Sequence, residues 1–125
     1  MRTAFGAPAW AHAQGTVIIV TGAGSGIGQA TAIQAARLGL TVAGWDFKPE
    51  GTQGTIELAG EHGHSIHSIQ ADVTDQDAIA KAMAQTHRLG QPTLLVNNAG
   101  PVALGTKLDF GDTVAAAIGL SLIHI

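Results

Sequence analysis

Apolar and polar positions alternate in blocks from residue 16 to residue 96. Four short segments have the composition of strands, and the first of them (TVIIV) is a continuous β-branched run. Such runs are typical of strands that are buried on both faces of a parallel sheet. The predicted strands cover residues 16–20, 40–45, 65–70 and 93–96, and Pro92 immediately precedes the last of them.

The segments between these strands predict helices. Apolar residues recur at helical spacing after the first strand, and we expect Gly39 to end that helix. Pro49 opens a linker into a weaker helix around residues 52–61, and a third helix is predicted over 75–87 with Thr74 as its cap. Strands and helices in this order build a parallel sheet with right-handed crossovers, so the fold class is α/β.

Composition and charge narrow the function. The chain has 125 residues, which suits one domain, and 46% of them are hydrophobic. Its six Lys and Arg residues are scattered and the net charge is -3, which argues against a nucleic-acid partner. It has no cysteine, no apolar stretch long enough for a membrane span, and no signal-peptide core near its start. We therefore expect a cytoplasmic protein without a membrane partner.

A glycine-rich turn (TGAGSGIG) follows the first strand. Gly22, Gly26 and Gly28 permit positive φ angles and a close backbone approach to a pyrophosphate, at the beginning of a helix whose amides favour anions. No Lys-Ser/Thr pair follows the glycines, which excludes the phosphate-binding loop of nucleoside triphosphatases. The GxGxxG spacing of other dinucleotide-binding proteins does not fit this segment either. The alternative is a plain glycine-rich connection between a strand and a helix.

Acidic residues follow the second and third strands. Asp46 can accept hydrogen bonds from both hydroxyls of an adenosine ribose and would repel a 2′-phosphate. The glycine turn contains no Arg or Lys, although Lys48 is near, so NAD is favoured over NADP; the alternative is a solvated loop aspartate. Asp72 could contact an adenine amino group while Val73 packs on the ring. Asp72 could equally belong to a helix cap, and both interpretations can hold together.

Two further groups of polar residues stand out. The segment 97–100 (NNAG) follows the fourth strand, where the amides of Asn97 and Asn98 could fasten neighbouring strands and contact a ribose, or form a simple turn. His62, His64 and His67 are close in sequence, but His64 and His67 would face opposite sides of a strand. We expect exposed histidines there and no metal site.

Taken together, these motifs resemble the short-chain dehydrogenase/reductase family over residues 16–112. The resemblance implies a Rossmann-type doubly wound sheet, here truncated after about four strands, and a reversible hydride transfer between an alcohol and a ketone. It also implies a small-molecule alcohol or ketone substrate and a homo-oligomer for the full-length protein. By this resemblance the pyrophosphate would be lined by Gly22, Gly24, Ser25, Gly26, Ile27 and Gly28. Asp46 would hold the adenosine ribose, Asp72 and Val73 the adenine, and the inner edge of the cofactor would meet Asn98, Ala99 and Gly100.

The chain departs from the family in its catalytic residues. The family uses a Ser and a Tyr-x-x-x-Lys, helped by an Asn in the helix after NNAG, but this chain has no tyrosine and no Asn at 117–119. We assign it no catalytic residue and expect the fragment, about half the family length, to be inactive. Two alternatives stay open: a non-catalytic NAD-binding module, and an NADP-dependent 3-oxoacyl-thioester reductase.

The domain organisation follows from these patterns. Residues 1–15 carry no clear period and are predicted to be an N-terminal extension, and residues 16–119 form the NAD-binding half-domain. Residues 120–125 (LSLIHI) fit poorly as family sequence and resemble a translated transposase end sequence used in preparing sequencing libraries. We interpret them as a possible non-native tail; the alternative is a natural short apolar helix end.

Overall fold

The structure is a computed structural model that describes residues 16–99 and the backbone of 122–124. The predicted N-terminal extension, Gly100 and most of the proposed tail lie outside the described residues. The elements are β1 (Thr16–Thr21), α1 (Gly26–Arg37), β2 (Thr41–Asp46), α2 (Pro49–Leu58), a 3₁₀ helix (Gly60–Ser65), β3 (Ile66–Gln70), α3 (Gln76–Leu89), β4 (Gln91–Asn97) and β5 (Leu122–His124).

All the strands belong to one parallel sheet in the order β3-β2-β1-β4-β5. The parallel four-strand sheet with alternating helices is therefore confirmed. The fifth strand was not predicted: its three residues run along β4, with Leu95 paired to Leu122. The alternative that residues 120–125 are the end of a helix is wrong for Leu122–His124, which form a strand. That the tail is non-native stays a prediction.

The sheet is covered on both faces, because β1 alternates its side chains between two cores. Val17 and Ile19 belong to the cluster that includes residues of α3, while Ile18 and Val20 belong to the cluster that includes residues of α1. All four side chains are buried. β1, whose four inner residues are all apolar, therefore lies at the centre of a doubly wound sheet.

The cap of α3 differs from the prediction. Asp75, not Thr74, is the N-cap: its Oδ1 accepts hydrogen bonds from the backbone amides of Asp77 (2.9 Å) and Ala78 (3.4 Å). Thr74 instead donates its hydroxyl and amide hydrogens to Asp72. An aspartate one residue later competes for the same helix amides, and its carboxylate is the better acceptor.

Two predicted boundaries also move. Helix α2 begins at Pro49 itself, because proline fits the first helical position, where no amide hydrogen is needed. Pro92 lies inside β4 rather than before it, and the pairing with β1 shifts register at this point. Proline lacks the N–H that a regular ladder requires, which accounts for the irregularity.

Within the described ranges, no helix is both long and apolar enough to cross a membrane.

Candidate functional site

The candidate site lies where β1, β2 and β4 end. The sheet order reverses direction between β1 and β4, because β1 leads to β2 on one side while β4 pairs on the other. Such a reversal opens a crevice at the carboxyl ends of the strands, and ligands of this kind of sheet bind there. The structure brings the glycine turn, Asp46 and Asn98 together at this edge.

The glycine turn is attached to the end of β2. The backbone amides of Gly22 and Ala23 both donate to the carbonyl oxygen of Trp45, over 2.8 and 3.2 Å. Gly22 has a φ of 68° and Gly26 a φ of 56°, a left-handed conformation that side chains rarely adopt. The turn therefore needs glycine at these two positions for its backbone path.

Gly28 is required for a different reason, which is space. A Cβ atom there would overlap the carbonyl oxygen of Gly22 and lie 2.5 Å from Nδ2 of Asn98. A Cβ atom on Gly26, in contrast, would meet nothing within 4 Å. The turn is thus closed on the inside at Gly28 and open on the outside at Gly26, and the open side is where a ligand could approach the backbone.

The open side coincides with the first turn of α1. The first amides of a helix have no intrahelical acceptor, and they carry the positive end of the helix dipole. Ser25 is the N-cap but makes no side-chain capping bond, and the first turn contains no acidic residue. The apolar Ile27 beside these amides is 57% exposed. The arrangement can accept an anionic group that also presents some apolar surface.

Asp46 joins this turn to the end of β2. Its Oδ2 accepts a hydrogen bond from the amide of Gly24 and its Oδ1 one from the amide of Lys48, both over 2.9 Å. The side chain is half-buried, and each carboxylate oxygen keeps acceptor capacity beyond these bonds. A carboxylate held in this way can accept hydrogen bonds from a diol such as a ribose.

Thr21 connects the turn to the end of β4. Its side chain is fully buried, and the hydroxyl oxygen accepts hydrogen bonds from the backbone amides of Asn98 and Ala99, both over 2.9 Å. The hydroxyl in turn donates its hydrogen to Oδ1 of Asn97 over 3.3 Å. Nδ2 of Asn98 donates to the carbonyl oxygen of Gly22 over 3.4 Å. Sequence reasoning missed this role of Thr21, although a threonine that ends a buried apolar strand was its signal.

Asp72 and Val73 lie past the end of β3, directly after Ala71, whose backbone amide donates to the carbonyl oxygen of Asp46 over 3.0 Å. Asp72 accepts hydrogen bonds from the hydroxyl (2.6 Å) and the amide (2.9 Å) of Thr74, and these two bonds lower the pKa of its carboxyl. Asp72, Phe47 and Gln70 help to line a cavity of about 240 Å³. Val73 is only 8% exposed and packs in the core, so little of its surface is left for a ligand.

The three histidines do not converge. His64 is exposed, and its Nδ1 lies 2.8 Å from the carbonyl oxygen of Glu61. Nε2 of His62 lies 3.5 Å from Oε1 of Glu61. His67 is half-buried in β3, so exposure is found for one of the three. In the described part of the chain, no three His, Asp or Glu side chains are grouped as metal ligands.

A sequence model of the family described as short chain dehydrogenase matches residues 16–118. The chain belongs to the short-chain dehydrogenase family. It is 35% identical over 100 residues to human epidermal retinol dehydrogenase 2, a match that covers 78% of this chain and 32% of that protein. It is 38% identical over 88 residues to a 3-oxoacyl acyl-carrier-protein reductase of Pseudomonas aeruginosa, covering 70% of this chain and 36% of that protein.

Solved structures of the family agree with this fold. A short chain dehydrogenase/reductase from Burkholderia phymatum in complex with NAD superposes with a TM-score of 0.63 at 29% identity, over 69% of this chain and 31% of that one. The chain thus spans about a third of the length of each of these three relatives. Its Rossmann-type fold and its membership of an oxidoreductase family are confirmed.

Proposed function

We propose that this chain is the cofactor-binding part of an NAD-dependent oxidoreductase that interconverts an alcohol and a ketone. The observation that carries the proposal is the bond between Gly24 and Asp46, which joins a glycine turn to a carboxylate at 2.9 Å. A pyrophosphate on the turn and an adenosine ribose on Asp46 are neighbours in one dinucleotide, so the two features fit a single ligand.

The shape of the turn supports a dinucleotide. The open side at Gly26 leaves room for the pyrophosphate beside the first amides of α1, and the closed side at Gly28 brings Asn98 against the turn. We further propose that Asn98, Ala99 and Gly100 line the inner edge of the cofactor and that Asp72, with the small exposed part of Val73, lies toward the adenine. Ser25 and Ile27 would flank the pyrophosphate.

The charge of the site favours NAD over NADP. A carboxylate at the ribose repels a 2′-phosphate, and the turn has no basic side chain to offset that charge. The Burkholderia relative was solved with NAD, which agrees with this preference. Bound NAD would accept or return a hydride, while the residues described here hold and orient it.

The chain is expected to bind the cofactor without turnover. Its 125 residues include no tyrosine, so it has no phenol to exchange the alcohol proton. The name of the Pseudomonas relative supports a second candidate, a 3-oxoacyl-thioester reductase. NADP as the cofactor of that candidate stays a prediction. A non-catalytic NAD-binding module, a cytoplasmic location and a homo-oligomeric full-length protein also stay predictions.

Tryptophan fluorescence provides the test. Trp10 and Trp45 are the two tryptophans, and the buried Trp45 directly precedes Asp46. In a Trp10→Phe chain, bound NADH should quench the Trp45 emission and show sensitised nicotinamide fluorescence, whereas NADPH should do so at much higher concentration. Absence of any transfer at millimolar NADH overturns the proposal, and an equal response to NADPH overturns the preference for NAD.

A further inference from the structure

One peptide unit in the glycine turn is held from both sides. The carbonyl of Ala23 and the amide of Gly24 belong to the same planar peptide, so they point in opposite directions. The amide hydrogen goes to Oδ2 of Asp46 over 2.9 Å. The carbonyl oxygen accepts a hydrogen bond from the hydroxyl of Thr55 over 2.8 Å. Rotation of this peptide would break both bonds together.

Thr55 reaches this peptide from helix α2, and it is itself held in place. Its side chain is fully buried, and its hydroxyl oxygen accepts a hydrogen bond from Nε2 of Gln29 on α1 over 3.1 Å. Its proton has a nearer acceptor in Ala23 (2.8 Å) than in the carbonyl oxygen of Gly51 (3.2 Å). The hydroxyl therefore connects α1, α2 and the turn.

Helix α2 also touches the turn through backbone alone. A Cβ atom on Gly24 would lie 2.9 Å from Cα of Gly51, and a Cβ atom on Gly51 would lie 3.1 Å from Cα of Gly24. The first turn of α2 and the middle of the glycine turn are thus in direct contact. Because the two backbones touch, a displacement of α2 would also displace the peptide that carries the Gly24 amide.

We propose that Thr55 is a positioning residue for cofactor recognition, which acts by orienting the Ala23–Gly24 peptide and, through it, the carboxylate of Asp46. This inference rests on the proposed function. With the Ala23 carbonyl drawn toward α2, its partial negative charge points away from the pyrophosphate, and the Gly24 amide keeps Asp46 in place. Because Asp46 rejects the 2′-phosphate, Thr55 then governs the discrimination between NAD and NADP as well as affinity.

The same helix offers a matched control. Thr52 lies one turn before Thr55, is equally buried, and has a hydroxyl without a hydrogen-bond partner in the structure. Thr52→Val and Thr55→Val make the same isosteric change. Thr55→Val removes the donor to the carbonyl oxygen of Ala23 and the acceptor for the side-chain amide of Gln29. Thr52→Val removes no hydrogen bond, and replacement of an unpaired hydroxyl by a methyl is nearly neutral.

The test is titration of the 125-residue chain with NADH and NADPH. Thr55→Val should weaken NADH binding by about tenfold, the effect of one lost hydrogen bond, and should reduce the preference for NADH over NADPH. Thr52→Val should leave both unchanged, and Thr55→Ser should restore both. A merely structural role would weaken both cofactors equally and leave the preference intact, which would overturn the inference.

A second pair of variants covers the case in which Thr55→Val does not fold. Gly51→Ala puts a methyl group against Gly24, whereas a Cβ atom on Gly54, in the same helix, would meet nothing within 4 Å. Only Gly51→Ala should weaken NADH binding and shift the amide resonance of Gly24 in the ligand-free chain. If wild type binds NADH but both Thr55→Val and Gly51→Ala bind like their controls, the inference alone is wrong. If wild type binds neither cofactor, the proposed function fails and the inference with it.

Discussion

The backbone amide of Gly24 donates a hydrogen bond to Oδ2 of Asp46 over 2.9 Å. The two residues are 22 positions apart and belong to motifs that sequence analysis treats separately. Their contact makes the carboxylate part of the glycine turn, and it fixes the direction in which the remaining acceptor sites of the carboxylate face. The proposed ribose contact therefore depends on the turn as much as on the aspartate.

Replacement of Asp46 by Ala should weaken NAD binding by about tenfold or more, because a hydrogen bond to a charged group typically contributes about 1.5–3 kcal/mol. NADP binding should change far less, since the same substitution removes the repulsion of the 2′-phosphate. Isothermal titration with both cofactors measures the difference. Asp77→Ala, which removes an exposed carboxylate on α3, is the control for net charge. An equal loss for both cofactors would refute the ribose assignment.

Gly26→Ala and Gly28→Ala should fail in different ways. A methyl group at Gly28 overlaps backbone, so the free energy of unfolding should fall by about 1–3 kcal/mol or more. A methyl group at Gly26 meets open space and costs about 1–2 kcal/mol through its left-handed φ, but it occupies the proposed pyrophosphate position. Urea unfolding and NADH titration separate the two effects. A Gly26→Ala chain that binds NADH normally would contradict the position of the pyrophosphate.

Thr21→Val should destabilise the fold by about 1–3 kcal/mol, because it leaves the half-buried backbone amides of Asn98 and Ala99 without their acceptor. Thr21→Ser should recover most of this loss. Thr31→Val removes a hydroxyl that bonds only to the preceding helical turn, and it should change the free energy of unfolding by less than about 0.5 kcal/mol. Urea titrations of the three variants make the comparison, and equal stability of Thr21→Val and Thr31→Val would be the contrary result.

Thr74→Val should raise the pKa of Asp72 toward its ordinary value, because the hydroxyl bond at 2.6 Å is the largest cause of the lowering. A lowered folded-state pKa contributes stability above the unfolded pKa of about 3.9, and that contribution is lost as the pH falls through the folded value. Wild type should therefore lose more stability on acidification than Thr74→Val. Carboxyl chemical shifts recorded across the acid range report the pKa directly; an unchanged midpoint would show that the hydroxyl bond does not matter.

The fold was largely predictable because β1 has an unbroken apolar run from Val17 to Val20 and the other core strands are short segments bounded by glycine, proline or polar residues. The four strands, three helices and parallel order follow from block patterns and from Gly39 and Pro49, whose backbone preferences are strong. Details decided by competition between neighbours were not predictable, as in the N-cap of α3, where Asp75 takes the amides offered to Thr74. The short strand Leu122–His124 has no distinct sequence signal of its own.

The site was predictable as a set of motifs but not as a set of bonds. Glycine spacing and Asp46 are local signals that survive in the sequence. The roles of Thr21, Gln29 and Thr55 depend on partners 26 to 78 positions away, which no local pattern encodes. Their residue types are also ordinary for buried strands and helices, so only the folded geometry distinguishes them.

The pairing of β1 with β4 has a consequence for folding. Thr21 and Asn98 are 77 positions apart, so their contact closes one of the longest loops in the described chain. Closure of such a loop carries an entropic cost that local contacts do not, and non-local pairings of this kind form slowly. During synthesis, β1, α1 and β2 can associate while β4 is still untranslated. A dinucleotide that needs both the glycine turn and Asn98 would then bind only after this last closure, and its binding would report completion of the sheet.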